Sequence, residues 1–243
     1  MQKDSADPLD GWSMTEIQDF RKLSAFTMPD NDIYGHLYFY LQDLLGKFCT
    51  KVRTLRLNVV FTATNAVNLH ELVPGMTFDR IDVSNIMDAV YLGVPTTLES
   101  VRPLLRPDSK YATVISLFMN AIGIMQQKNR LSVSIDTLLK ASQFLPVNPM
   151  QLNPHDPKFL RMSASQDMLV PFDAWFKEYM EIAEFKEAAR EFQMMMKSQN
   201  TIIQKWPYRL KKKLGETGAQ DEFDKLLASS WTGAERYVEW RLS

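Results

Sequence analysis

The stretch FDRIDVSNIMD, residues 78–88, alternates apolar and polar side chains and then gathers a hydroxyl, an amide and a carboxylate at Ser84, Asn85 and Asp88. Such alternation marks a β-strand, so the polar groups stand at a strand's carboxyl end. A serine there becomes a nucleophile when a base reaches its hydroxyl. A nearby carboxylate can serve as acid or base. The same residue types also suit a plain turn, with Ser84 or Asn85 capping the next helix. The surrounding Asp82-Val83-Ser84-Asn85-Ile86 is not the G-x-S-x-G elbow of the α/β-hydrolases, and no histidine is adjacent.

Two other groups of residues suit chemistry. Tyr179 lies on a stretch of helical periodicity with Glu178, Glu181 and Glu184 around it. A phenol turned toward an apolar side with a carboxylate close by forms an acid–base pair; a solvated acidic face is the plainer account. The segment QKWPYRLKKK (204–213) sets Lys205, Arg209, Lys211, Lys212 and Lys213 around Trp206 and Tyr208. Cations interleaved with aromatics hold phosphates and stack bases. The alternative is a solvated basic face anchored to the core by Trp206.

The elements that position these residues follow from periodicity. Tyr34, Leu37, Tyr38, Leu41, Leu44, Leu45, Phe48 and Val52 recur at helical spacing after a capping Asp32, and Thr15 suits the cap of a shorter helix before it. LRLNVVFTA (55–63), FDRIDVSN and KYATVISLFMNA (110–121) read as strands, separated by helical NAVNLHEL and TTLESVRPLL. Beyond residue 121, helices are expected at SIDTLLKASQFL, at Phe172 to Lys197, at DEFDKLLASS and at GAERYVEWRL, with a proline-rich loop at VNPMQLNPHDP. The predicted class is α/β: a partial Rossmann-like parallel sheet of three or more strands with a largely helical C-terminal half. Residues 1–30 read as a leader, 31–121 as the α/β core and 122–243 as the helical region packed on it. Ligands of open α/β sheets bind at the carboxyl ends of strands. Thr64 and Asn65, Asp82 with the Ser84 group, and Asn120 all stand at such ends, and with Glu178 they form the expected substrate-binding set.

Composition removes several classes. Net charge is −1, so contact with a polyanion requires a local patch such as 204–213. Cys49 is the single cysteine, which rules out an intramolecular disulfide and a cysteine-based zinc site, and three dispersed histidines offer no metal cluster. No metal or cofactor is expected. The acidic, polar opening MQKDSADPLDGW and the lack of a long apolar run point to a cytoplasmic protein without a membrane span. Fourteen methionines suit gap filling in helix cores or an adaptable surface.

The motifs FDRIDVSNIMDAVYLG, PLLRP…YATVISLFMNA and QKWPYRLKKKLGETGAQDEFDKLLAS…GAERYVEW resemble the C-terminal half of an uncharacterised fungal family. Its members carry a domain of unknown function, sometimes beside a MYND finger. The resemblance runs over residues 33–241 and extends distantly to dynein axonemal assembly factor 3 and to class I methyltransferases. It implies a methyltransferase-like scaffold. The rhythm of FTATNAVNLHELVPGMTFDRIDVSN follows such enzymes, but Thr64-Asn65-Ala66 replaces their Gly-Asp-Ala and no G-x-G-x-x-G turn is present. Three functions are therefore weighed. One is acyl or aminoacyl transfer of the cyclodipeptide-synthase type, drawing on aminoacyl-tRNA through 204–213, with Ser84, Asn85, Asp88 and Tyr179 as catalytic residues. The second is a non-catalytic scaffold for protein partners. The third is a methyltransferase completed by a second chain. A sheet lacking its other half exposes an edge strand, which a partner chain or a second copy would cover.

Overall fold

The computed structural model describes residues 8–9, 11–23, 29, 31–129, 135–145, 157–229 and 233–243. The loop expected at 147–157 lies outside the described residues except for Pro157, which opens a helix. The chain forms two compact units. One comprises Met1–Thr62, Leu139–Ser165 and Leu210–Trp231; the other comprises Ala63–Leu138, Gln166–Arg209 and Thr232–Ser243.

The elements run α1 (Met14–Leu23), α2 (Ile33–Thr54), α3 (Leu69–Leu72), β1 (Arg80–Asp82), α4 (Gly93–Val101), β2 (Thr113–Phe118) and α5 (Ala121–Asn129). They continue as α6 (Ile135–Phe144), α7 (Pro157–Leu169), α8 (Asp173–Ile182), α9 (Phe185–Glu191), β3 (Met194–Met196), α10 (Ala219–Ala228) and β4 (Arg236–Leu242).

In the first unit, Met14 and Ile17 of α1 pack on Leu37 of α2, flanked by Trp12, Tyr40 and Leu41. The cap of α2 is Asp32, whose carboxylate accepts the Gly35 N–H at 2.9 Å. Any side chain at position 35 would strike that carboxylate, since a Cβ there would lie 2.4 Å from its oxygen. The cap of α1 is Ser13 rather than Thr15: its hydroxyl accepts the Glu16 N–H at 3.3 Å. Tyr40 donates to Glu16 at 2.6 Å, and burial together with that carboxylate pushes its phenol up to about 12.

The second unit carries a mixed four-stranded sheet in the order β1-β2-β4-β3. Strands β1 and β2 are parallel and joined through α4. Strand β4 runs antiparallel to both neighbours. The class is α/β as expected, but among the described strands only one pair is parallel, and the C-terminal half supplies two of those four strands rather than helices alone. GAERYVEWRL, expected as a helix, holds β4. There Val238 and Trp240 are buried in the core, the Trp240 indole donating to the Ser116 hydroxyl at 3.2 Å.

The single helix expected from Phe172 to Lys197 is instead α8, α9 and β3. It breaks where Glu184 and Gln193 take left-handed backbone angles, φ 56° and 52°. Such angles stop a helix, and the methionine run beyond them completes the sheet beside β4. Helical periodicity in the sequence does not register these two local turns. Phe118, Phe176, Tyr179, Phe185 and Trp240 form the aromatic centre of the core.

LRLNVVFTA is not a strand of the sheet. Residues 55–65 carry no regular structure and are exposed throughout, Val60 to 76 % and Phe61 to 95 %. Strand propensity yields a strand only when a ladder partner is present.

Glu239 of β4 is wholly buried and fully hydrogen-bonded. Its carboxylate accepts the N–H groups of Thr201, Ile202 and Ile203 at 2.8, 2.6 and 3.0 Å, the Thr201 hydroxyl at 3.0 Å and the Lys197 ammonium at 2.9 Å. Burial favours the neutral acid, but these donors outweigh it and hold the carboxyl down at about 2. The group's pKa is lower in the folded chain than in the unfolded one. Its stabilisation is therefore complete above about 4.5 and is lost as pH falls toward about 2, on the order of 3 kcal/mol in all. Urea denaturation between pH 6 and pH 2.5 should show that loss in the native chain, and a much smaller loss in Glu239→Gln, which should already be destabilised at neutral pH.

Candidate functional site

Strand β1 ends at Asp82, and the chain turns at once. The Asp82 carboxylate accepts the Ser84 N–H at 2.8 Å, an Asx turn that holds Ser84 in a left-handed conformation, φ 48°. The Ser84 carbonyl accepts the Leu117 N–H at 2.8 Å, extending the β1–β2 ladder by one bond. Neither Ser84 nor Asn85 caps a helix, because the turn runs on until α4 begins at Gly93. Ser84 is exposed. Three cavities lined by described residues lie against α2, between α8 and α9, and beside the end of β4; Ser84 lines none of them.

Asp88 is fully buried. One of its oxygens accepts the N–H groups of Met119 and Asn120 at 2.9 and 2.7 Å and the Asn120 side-chain amide at 3.2 Å. Its other oxygen accepts the Tyr179 hydroxyl at 2.7 Å. That hydroxyl in turn accepts the Ala89 N–H at 2.9 Å. Asn120 stands at the head of α5, where its carbonyl takes the Ile124 N–H. The carboxylate thus sits at the carboxyl end of β2 and the amino end of α5, where oriented N–H groups and the helix dipole favour negative charge. An open α/β sheet offers that position to an anionic ligand; here a side chain of the chain itself fills it.

Of the four residues expected to be catalytic, the structure joins Asp88 and Tyr179, although 91 positions separate them. The carboxylate beside Tyr179 is therefore Asp88, not Glu178. Burial, reinforced by the bond to Asp88, pushes the phenol well above its ordinary range, so it stays protonated as a donor. Tyr179 is also fully buried, which closes it to substrate. Asn120 belongs to the same network, while Asn85 lies near Met119 with its amide 3.8 Å from the sulfur. Glu178 turns away toward Lys128 at 3.6 Å. Thr64 and Asn65 end no strand. Thr64 is exposed, and Asn65 caps a short 3₁₀ turn by accepting the Val67 N–H at 3.2 Å.

The basic segment 204–213 is partly consumed by the fold. Trp206 packs against Phe172 and Phe176 and donates to Asp173 at 2.9 Å. Arg209 donates to the Val170 carbonyl and lies over the rings of Phe172 and Trp206, while Arg236 lies over Phe176 and Trp206. Burial lowers both guanidinium pKa values, Arg236 to about 10. Lys205 binds the Ser198 carbonyl and Lys212 the Thr217 carbonyl. Lys211 and Lys213 are exposed, and Tyr208 is half-buried. Trp206, one of the two aromatics expected to stack a base, is therefore a packing residue, and Arg209 lies over rings of the core.

Arg236 and the Glu239 cradle escape the sequence reading, because GAERYVEWRL carries the expectation of a helix. A glutamate between apolar residues in a β-branched and aromatic run was the available signal. Among the described residues no group of three metal-binding side chains occurs, and no helix is long and apolar enough to cross a membrane. No protein-family model, curated protein or solved structure matches the chain.

Removing the Asp88 carboxylate would leave buried donors without an acceptor. Asp88→Ala should cost about 3–5 kcal/mol, and Tyr179→Phe, which removes one bond and keeps the ring, about 1–2 kcal/mol. Denaturant titration of both single variants and the double variant should show strong coupling between the two positions.

Proposed function

We propose that the chain is a protein-interaction module on a methyltransferase-like α/β scaffold, and that residues 55–61 bind its partner by joining a partner's sheet. The observation that carries this reading is the exposed run itself. Leu55, Leu57, Val59 and Phe61 alternate with Arg56, Asn58 and Val60, so an added strand would have one wholly apolar face. An extended apolar segment of this kind recognises a sheet edge through main-chain hydrogen bonds and alternate side-chain pockets. The satisfied, buried Asp88–Tyr179 pair supports the non-catalytic side of the reading, since neither group is left to move a proton for a substrate. A methyltransferase completed by a second chain is a special form of the same interaction, with cofactor binding only when that chain is present.

Aminoacyl transfer of the cyclodipeptide-synthase type remains a second reading. It draws support from Ser84 alone, which is exposed at the end of a parallel strand in a left-handed turn. Expression in a host with charged transfer RNA would yield cyclic dipeptides that Ser84→Ala abolishes.

For the interaction reading, hydrogen–deuterium exchange should find the amides of 56–62 unprotected in the chain alone and protected with its partner bound. Asn58→Pro, which removes a ladder donor, and Val59→Lys with Phe61→Lys should each abolish the complex without lowering stability. Protection of 56–62 in the isolated chain, or a complex indifferent to these variants, contradicts it.

A further inference from the structure

We propose that α2 is a homodimerisation helix, packing antiparallel on the same helix of a second copy. Tyr34, Tyr38, Leu41, Leu45, Phe48 and Val52 follow one another at alternating steps of four and three, the a/d spacing of a coiled-coil seam. Helix α1 covers the neighbouring flank through Leu37, Tyr40 and Leu41. Leu41 is partly buried at the border with α1, and the rest of the stripe stays exposed: Tyr34 to 55 %, Tyr38 to 61 %, Leu45 to 58 %, Phe48 to 62 % and Val52 to 43 %.

Three features select a second copy, and an antiparallel one. The first is spacing. The seam is symmetric about its midpoint, so a two-fold axis there sets Tyr38 against Phe48, Leu41 against Leu45, and Tyr34 against Val52 of the other copy. Each layer then joins a large side chain to an aliphatic or aromatic one, and the contact is self-complementary.

The second is charge. The amino end of α2 is capped by the Asp32 carboxylate, while its last turn carries Lys51 and Arg53. Antiparallel packing brings that basic end to the Asp32 end of the copy and opposes the two helix dipoles. Parallel packing would align Lys47, Lys51 and Arg53 with themselves. The third is area. The exposed stripe amounts to on the order of 500 Å² on each copy, and about 1,000 Å² in total is the threshold for a specific interface.

The proposal is independent of strand addition at 55–61, and either can fail while the other stands. Sedimentation velocity of the full chain should show a concentration-dependent dimer. Leu45→Glu with Phe48→Glu should give a monomer with unchanged far-ultraviolet circular dichroism, and Leu45→Ala with Phe48→Ala should weaken the dimer at least tenfold. Val59→Lys with Phe61→Lys should leave it intact. In a Cys49→Ser background, Tyr38→Cys with Phe48→Cys should form a disulfide-linked dimer on oxidation, whereas Tyr38→Cys alone should not. A chain that stays monomeric at every concentration overturns the proposal. A dimer that survives the glutamate pair, or cross-linking by Tyr38→Cys alone, also overturns it.

Discussion

The buried carboxylate of Asp88 is the constraint around which the second unit is organised. It gathers the turn after β1, the end of β2, the start of α5 and the middle of α8 onto two oxygens. A buried charge is tolerated only when donors saturate it. Asp88 meets this condition with two backbone N–H groups, a side-chain amide and a phenol, and Tyr179 passes the tie on to the Ala89 N–H. The mouth of the sheet is thereby closed from within, by a bond between residues that look like an acid–base pair when read from sequence.

Glu239 applies the same physics elsewhere in the sheet. It lies in β4 and draws the loop 197–203 onto that strand through three consecutive N–H groups. Between them the two carboxylates fix the turns that strands of three to seven residues are too short to fix through their own ladders. Among the described residues, much of the exposed apolar surface lies on α2 and in the run that follows it. Asp88 and Glu239 thus serve the chain's own architecture.

Several elements were legible because their signals are local. Asp32 ahead of a long apolar period announced α2; β-branched residues announced β2; Leu-Glu-Ser-Val announced α4. What was not legible depended on partners distant in sequence. Whether RYVEWRL is helix or strand turned on Trp240 finding Phe185 and Ser116. The break in the 172–197 helix depended on two residues adopting φ values that sequence periodicity does not encode. LRLNVVFTA has every local mark of a strand and lacks only a neighbour. At the site, Asp88, Asn120 and Tyr179 were each recognisable as notable residue types, but their convergence was not, and convergence is what turns them from candidate catalysts into a tie. The aromatic and cationic residues of 204–213 were likewise visible as a composition, while the stacking of Arg209 and Arg236 on Trp206 was not.

Amide hydrogen exchange by nuclear magnetic resonance at Met119 and Asn120 tests the central claim most directly. If Asp88 permanently holds the mouth of the sheet, these amides exchange only through global unfolding, with the same protection as Ile115 within β2. Rapid exchange at Met119 and Asn120 while Ile115 stays protected would mean that the carboxylate releases its donors in the native chain. The mouth of the sheet would then be open to a ligand, contrary to this account.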